Sequence, residues 1–176
     1  MQKRPNIVLI GFMGTGKSTV GKIISKKLNF TYTDIDELIE KTMGMKISEI
    51  FEKFGEERFR DIETEMVKIV TKKHNQVIST GGGVVLREEN ILNLKNSGLL
   101  FCLKANAEKI FERIKNCKNR PLLMVENPKD KIKELMDKRK PLYEKADFII
   151  DTDDLSAEEV AEKIIKYYES IVNAKD

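Results

Sequence analysis

The sequence predicts an α/β protein built on a five-stranded parallel sheet with helices on both faces. Three observations carry this expectation. Five short runs recur along the chain, each too uniformly apolar for a strand with one wet face. Helix-length segments separate them, with apolar residues three or four positions apart. A glycine-rich loop of the phosphate-binding kind joins the first run to the first helical segment.

Residues 7–10 read as the first buried strand. Residues 17–28 follow as a helix with Val20, Ile24 and Leu28 on one stripe. Residues 30–33 form a second strand and 37–42 a second helix. Gly55 breaks the chain before residues 56–73, where Phe59, Ile62, Met66, Ile69 and Val70 mark an amphipathic helix. Residues 77–79 are the third strand, and a helix carrying Ile91, Leu92 and Leu94 leads to the fourth at 99–103. Residues 148–150 are the fifth. The last helix starts at Ser156 with Glu159 three residues on, a capping-box pattern, and its apolar face is Val160, Ile164, Tyr168 and Ile171. Residues 115–130 are the least regular stretch, polar and basic, with Pro121 and Pro128.

The 176 residues suit one domain. A net charge of +3 is too small to argue for nucleic acid as a partner. No stretch is apolar for long enough to span a membrane. Cys102, Cys117 and the single histidine, His74, supply neither a disulfide framework nor a zinc site, which fits a reducing cytoplasm. Near-balanced charge and the lack of an apolar tail point to a monomer. Only seven of the 32 cations are arginine, so each Arg is a candidate fork for carboxylate or phosphate.

Gly11-Phe12-Met13-Gly14-Thr15-Gly16-Lys17-Ser18 matches GxxxxGK[ST] between a strand and a helix, where its mechanism needs it. Its backbone N–H groups and the helix N-terminus favour an anion. Lys17 reaches the β- and γ-phosphates of a nucleotide, and the Ser18 hydroxyl binds Mg²⁺. No Asn-Lys-x-Asp guanine motif is present, and the chain is short for a large ATPase. A small phosphotransferase remains, with a P-loop binding module as the non-catalytic alternative.

The acceptor residues follow the later strands. Asp34 and Asp36 lie past the second strand, where one carboxylate can stand behind Mg²⁺ and the other can take a proton from a hydroxyl. Either can instead cap the next helix. Arg60 and Glu63 share a helix face, either as a site pair or as a surface ion pair. Arg139, in Arg139-Lys140-Pro141-Leu142-Tyr143, sits near the end of a helical segment. Arg120 sits in the irregular stretch, where the residues alone favour a solvated loop cation over an arginine that closes on ATP. The run Gly81-Gly82-Gly83 ends the third strand, and bare backbone there lets a ligand approach where any Cβ would intrude.

Taken together, GFMGTGKST, DID, FRDIE, STGGG, RPLL and RKPLY occur in an order that resembles shikimate kinases over nearly the whole chain. The resemblance implies a three-layer α/β/α P-loop kinase fold with a helical substrate-binding region near residues 34–62 and a mobile lid near 113–127, within a single domain spanning 1–176. It implies transfer of the γ-phosphate of ATP to the 3-hydroxyl of shikimate, on the route to chorismate and the aromatic amino acids, with Mg²⁺. Asp36, Arg60, Gly82 and Arg139 would bind shikimate, with Gly81 and Gly83 beside them. Gly14, Thr15, Gly16, Lys17, Ser18 and Thr19 would bind ATP phosphates. Ser18 would bind Mg²⁺ with Asp34 in its outer shell. Arg120 would be the lid arginine and Arg113 would lie near the adenine. Lys17, Asp36 and Arg120 would be catalytic. A gluconate kinase is the nearest alternative from the residues alone.

Overall fold

The structure is a computed structural model that describes residues 4–115 and 125–174. Its chain order is β1 (Asn6–Ile10), α1 (Lys17–Leu28), β2 (Thr31–Asp34), α2 (Ile35–Met43), α3 (Ile47–Val70), β3 (Gln76–Ser79), α4 (Glu88–Ser97), β4 (Gly98–Lys104), α5 (Ala107–Ile114), α6 (Pro128–Tyr143), β5 (Phe148–Asp151) and α7 (Ala157–Asn173). A single 3-10 turn at Val84–Leu86 lies between β3 and α4.

All neighbouring strands pair in parallel, in the order β2-β3-β1-β4-β5. Both faces are covered, which is why consecutive positions in the central strands β1, β3 and β4 are buried, while the edge strand β2, Thr31–Asp34, is polar and partly exposed. Val8, Ile10, Ile78, Leu100 and Cys102 face the layer that includes Ile39 of α2, Phe59 and Val67 of α3, Leu94 of α4 and Ile132 of α6. Ile7, Leu9, Val77, Phe101 and Leu103 face α1 and α7. Tyr168 of α7 closes that side, with its ring edge-on to Phe30 and its hydroxyl donating to the Pro5 carbonyl at 2.8 Å.

The strand order places the ligand crevice. The chain leaves β1 for β2 and β3 on one side and reaches β4 on the other, so β1 is the switch point whose carboxyl end opens a cleft. Leu9 pairs with Ser79, and Asp34 also pairs with Ser79. The loops after β1, β2 and β3 therefore begin side by side.

Several boundaries differ from the expectation. The second strand runs one residue later, to Asp34, and α2 begins at once at Ile35. A further helical segment from Ile47 precedes Gly55, whose φ of 77° and ψ of 170° are non-helical, so the expected break is present and α3 is two helical segments joined at a kink. Ile69 is 48% exposed and does not join the apolar face of α3. Helix α5 is not expected from the sequence reading, although Asn106 caps it through Lys109 N–H at 2.8 Å and Ile110 and Ile114 stand one turn apart. Among the described residues, no helix is long and apolar enough to cross a membrane.

Candidate active site

The loop after β1 wraps into α1 through two left-handed residues, Gly14 and Gly16, with φ of 76° and 93°. A Cβ on Gly14 would sit 2.8 Å from Ile114 Cγ2. Helix α5 thus forms the back wall of the loop, and Arg113 on it donates to the Gly14 carbonyl at 3.1 Å. The Thr15 hydroxyl donates to the Phe12 carbonyl at 2.8 Å, within the loop. The buried Lys17 ammonium donates to the carbonyls of Gly11 and Phe12 at 2.8 and 2.9 Å. Ser18 and Thr19 lie exposed at the mouth.

Asp34 uses its two carboxylate oxygens separately, one as a helix cap and one for neighbouring hydroxyls. Its Oδ1 accepts the N–H groups of Asp36 at 3.0 Å and Glu37 at 3.3 Å, capping α2. Its Oδ2 accepts the hydroxyls of Ser18 and Tyr32, both at 3.1 Å. Burial pushes the Tyr32 phenol up to about 12, so it stays a donor at ordinary pH. Asp36 is not the cap. It stands in the first turn of α2, half-buried, with Oδ1 against Gly81.

Arg60 is no surface pair. It is 9% exposed, and Glu63 is fully buried. Arg60 Nη1 donates to Glu63 Oε2 at 2.7 Å and Nη2 to Glu56 Oε1 at 3.2 Å. The Arg60 Nε–H is buried without a protein acceptor. Arg58, two residues earlier, is exposed and reaches only Asp61, at 3.9 Å. Burial pushes the Glu63 carboxyl up, and the Arg60 guanidinium pulls it back. Asp36 and Arg139 are close enough to act on the same carboxyl with opposite signs.

Gly81, Gly82 and Gly83 run between these groups. None lies in the left-handed region, so close approach rather than backbone conformation explains the glycines. A Cβ on Gly81 would lie 2.7 Å from Asp36 Oδ1. One on Gly83 would strike both terminal nitrogens of Arg60, at 2.5 Å from Nη1. One on Gly82 would be looser, 3.3 Å from Met13 N and 3.7 Å from Arg139 Nη1. The tight positions are therefore the outer two, although the middle glycine is the one the family resemblance picks out. Arg139 reaches in from α6 with its guanidinium carbon 5.7 Å from the centre of the Phe12 ring.

The structure thus brings together the loop after β1, Asp34, Asp36, Arg60, Arg113, Arg139 and the three glycines. Arg120, and residues 116–124 of the expected lid, lie outside the described residues. Two contributors were not singled out from the sequence. Glu56 lies on α3 one turn before Arg60, a spacing that was readable. Tyr143 donates its hydroxyl to the Gly82 carbonyl at 2.6 Å, across 61 residues of chain that no local pattern connects.

The family model for shikimate kinase matches residues 13–169. A shikimate kinase from Thermodesulfovibrio yellowstonii is 66% identical over 170 residues, covering 97% of this chain and 98% of its own. The structure of a shikimate kinase from Acinetobacter baumannii in complex with shikimate superposes with a TM-score of 0.91 at 40% identity, covering 95% of this chain and 94% of that one. That of Aquifex aeolicus shikimate kinase gives 0.83 at 41% identity, covering 94% and 96%. A phosphate loop, a buried carboxylate-and-arginine pocket and a side-chain-free strip between them, in a chain this similar over its whole length, place it in one family: the chain belongs to the shikimate kinases.

Proposed function

We propose that this site carries out the family's reaction with its residues divided between two halves: ATP on the loop after β1, and shikimate among Asp36, Arg60, Arg139 and the three glycines. The γ-phosphate passes to the 3-hydroxyl of shikimate, giving shikimate 3-phosphate and ADP on the route to chorismate. The observation that carries the acceptor assignment is Arg60, a buried cation whose Nε–H has no protein acceptor. A buried donor without a partner is costly, and a bound carboxylate would supply one. Shikimate has one carboxylate and three hydroxyls, which suits two arginines and one acid. The Acinetobacter relative, seen with shikimate, supports the same acceptor here.

In this division, Arg60 and Arg139 hold the carboxylate, and Asp36 accepts the hydrogen bond of the 3-hydroxyl and receives its proton as the phosphoryl group arrives. Lys17 leaves the loop carbonyls for the β- and γ-phosphate oxygens, and the N–H groups of residues 14–19 cradle the phosphates. Arg113 meets the adenine side. Arg120 is assigned, on the family resemblance, to closing over the phosphates from a lid near residues 113–127. Residues 34–62 form the substrate region of the single domain.

The donor set fits Mg²⁺. Among the described residues no cluster of three or more His, Cys, Asp or Glu side chains is placed to hold a metal. A hard cation that keeps its waters and takes phosphate oxygens needs little more than the Ser18 hydroxyl with Asp34 behind it. Bound there, it would neutralise charge on the transferring phosphoryl group. We also take the enzyme to be a cytoplasmic monomer, in keeping with its small net charge of +3 and few cysteines.

The protein with ATP, Mg²⁺ and shikimate is expected to release ADP in a coupled assay. Turnover on gluconate with none on shikimate would refute the acceptor. Asp36→Asn is expected to lower kcat by about a hundredfold or more while the melting temperature holds; a wild-type rate would remove Asp36 from the chemistry. Gly83→Ala should displace Arg60 and raise the KM for shikimate about tenfold, more than Gly82→Ala does; equal effects would break the steric argument. Glu63→Ala strands a buried guanidinium and should cost about 3 kcal/mol in urea unfolding. Glu63→Gln, which keeps an acceptor, should cost less.

A further inference from the structure

The strip Gly81-Gly82-Gly83 has no side chain to anchor it and the largest backbone freedom to lose. Its carbonyls are nevertheless all engaged. Gly81 O accepts from Val84 N at 3.2 Å and Gly83 O from Leu86 N at 3.1 Å, both within the following 3-10 turn. The middle carbonyl, Gly82 O, has no such local partner in that turn and accepts instead from the Tyr143 hydroxyl at 2.6 Å. A peptide is planar and trans, so fixing Gly82 O also fixes the direction of the Gly83 N–H.

Tyr143 ends α6, the helix that carries Arg139 one turn earlier, and residues four apart share a helix face. Both reach the same glycine: the Gly82 Cβ position is 3.7 Å from Arg139 Nη1. The Tyr143 ring borders a cleft of about 320 Å³ between α6 and the ends of β4 and β5, lined also by Phe12, Cys102 and Met136. The residue is buried in the core, and the hydroxyl bond carries its position to the glycine strip. Burial lifts the phenol to about 12, against the opposing pull of Arg139, so it remains a donor at working pH.

We propose that Tyr143 is a positioning residue for the acceptor: its hydroxyl clamps the last turn of α6 to the Gly82 carbonyl and so sets Arg139 and the glycine strip at the spacing that shikimate needs. This rests on the reading that Arg139 and the glycine strip bind shikimate. Tyr143 touches no reacting atom. It acts through Arg139 and the backbone, and its effect falls on shikimate rather than on ATP.

The test is Tyr143→Phe, which keeps the ring and removes the hydroxyl, beside Arg139→Lys in the same assay. Tyr143→Phe is expected to raise the KM for shikimate about tenfold, the equivalent of about 1.4 kcal/mol, with kcat within about threefold and the KM for ATP within about twofold. A lowered melting temperature with an unchanged shikimate KM would mean a merely structural bond and overturn the proposal. An equal rise in both KM values would overturn it as well. If Arg139→Lys impairs shikimate binding and Tyr143→Phe does not, the positioning inference alone fails. If neither does, the acceptor reading fails with it. Should Tyr143→Phe not fold, amide exchange of wild-type Gly83 decides the point. Exchange already slow without shikimate supports a clamped strip, and exchange that slows only when shikimate is added overturns it.

Discussion

Thr80 donates both its N–H and its hydroxyl to the Leu9 carbonyl, at 3.2 and 3.0 Å, where β1 and β3 run out side by side. That pair of hydrogen bonds sets the separation of the two loops that follow, and the rest of the site is built to it. With the strands held at sheet spacing, the chain after β3 passes within reach of the chain after β1, close enough that a Cβ on Gly82 would approach Met13 N to 3.3 Å. Side chains are excluded from this strip because three groups are already there: Asp36 from the β2 side, Arg60 from α3 and the phosphate loop from β1. What is left is backbone, between the phosphate loop and the Asp36–Arg60 pocket proposed to take the acid.

The acceptor half is stabilised poorly and ordered well. Taking Arg60 and Glu63 out of water costs several kcal/mol per ion, and their attraction offsets this only with good geometry. The 2.7 Å Arg60–Glu63 bond and the second contact to Glu56 provide that geometry. One Arg60 donor and one Glu63 oxygen still lack partners. Such residual cost is what preorganisation looks like in a site that exists before its ligand arrives. The pair contributes little net stability, yet it holds a cation in one orientation that Lys in its place could not reproduce.

How much of this was legible in the sequence depends on how local the cause was. The phosphate loop follows from spacing because each of its roles is filled within eight residues of chain. The central strands follow from apolar runs because both faces of a parallel sheet are covered, whereas the edge strand β2, Thr31–Asp34, is polar and partly exposed. Arg60 was left undecided because a three-residue step on a helix reports direction, not depth. Nothing local told whether that face of α3 meets water or the sheet. The sequence leaves Asp34 undecided for the opposite reason: cap and metal-side roles both fit, and while Oδ1 is the cap, Oδ2 accepts the hydroxyls of Ser18 and Tyr32. Tyr143 could be quoted in its motif without a role because its partner lies 61 residues away on another element. Helix α5 escapes the sequence reading despite a readable cap and an apolar pair, since it is only eight residues long.

The two halves of the site are held differently, and burial accounts for the difference. Glu63 is fully buried and Arg60 nearly so, which leaves them no water to substitute for a missing partner, so protein groups must hold them in place. The donor half lies at the mouth. Ser18 is exposed and rests on Asp34, while the Lys17 ammonium is folded onto two loop carbonyls. Neutral carbonyls are weaker partners for an ammonium than phosphate oxygens are, so a nucleotide can take Lys17 from them without unfolding anything. The charge that must move is therefore kept on bonds that exchange readily, and the charge that must stay is held by a buried carboxylate. A phosphotransferase whose acceptor is small and rigid gains from that arrangement. On the proposed division, the acid and hydroxyls of shikimate enter a pocket already shaped for them, and the rearrangement is left to the half proposed to receive the flexible, multiply charged nucleotide.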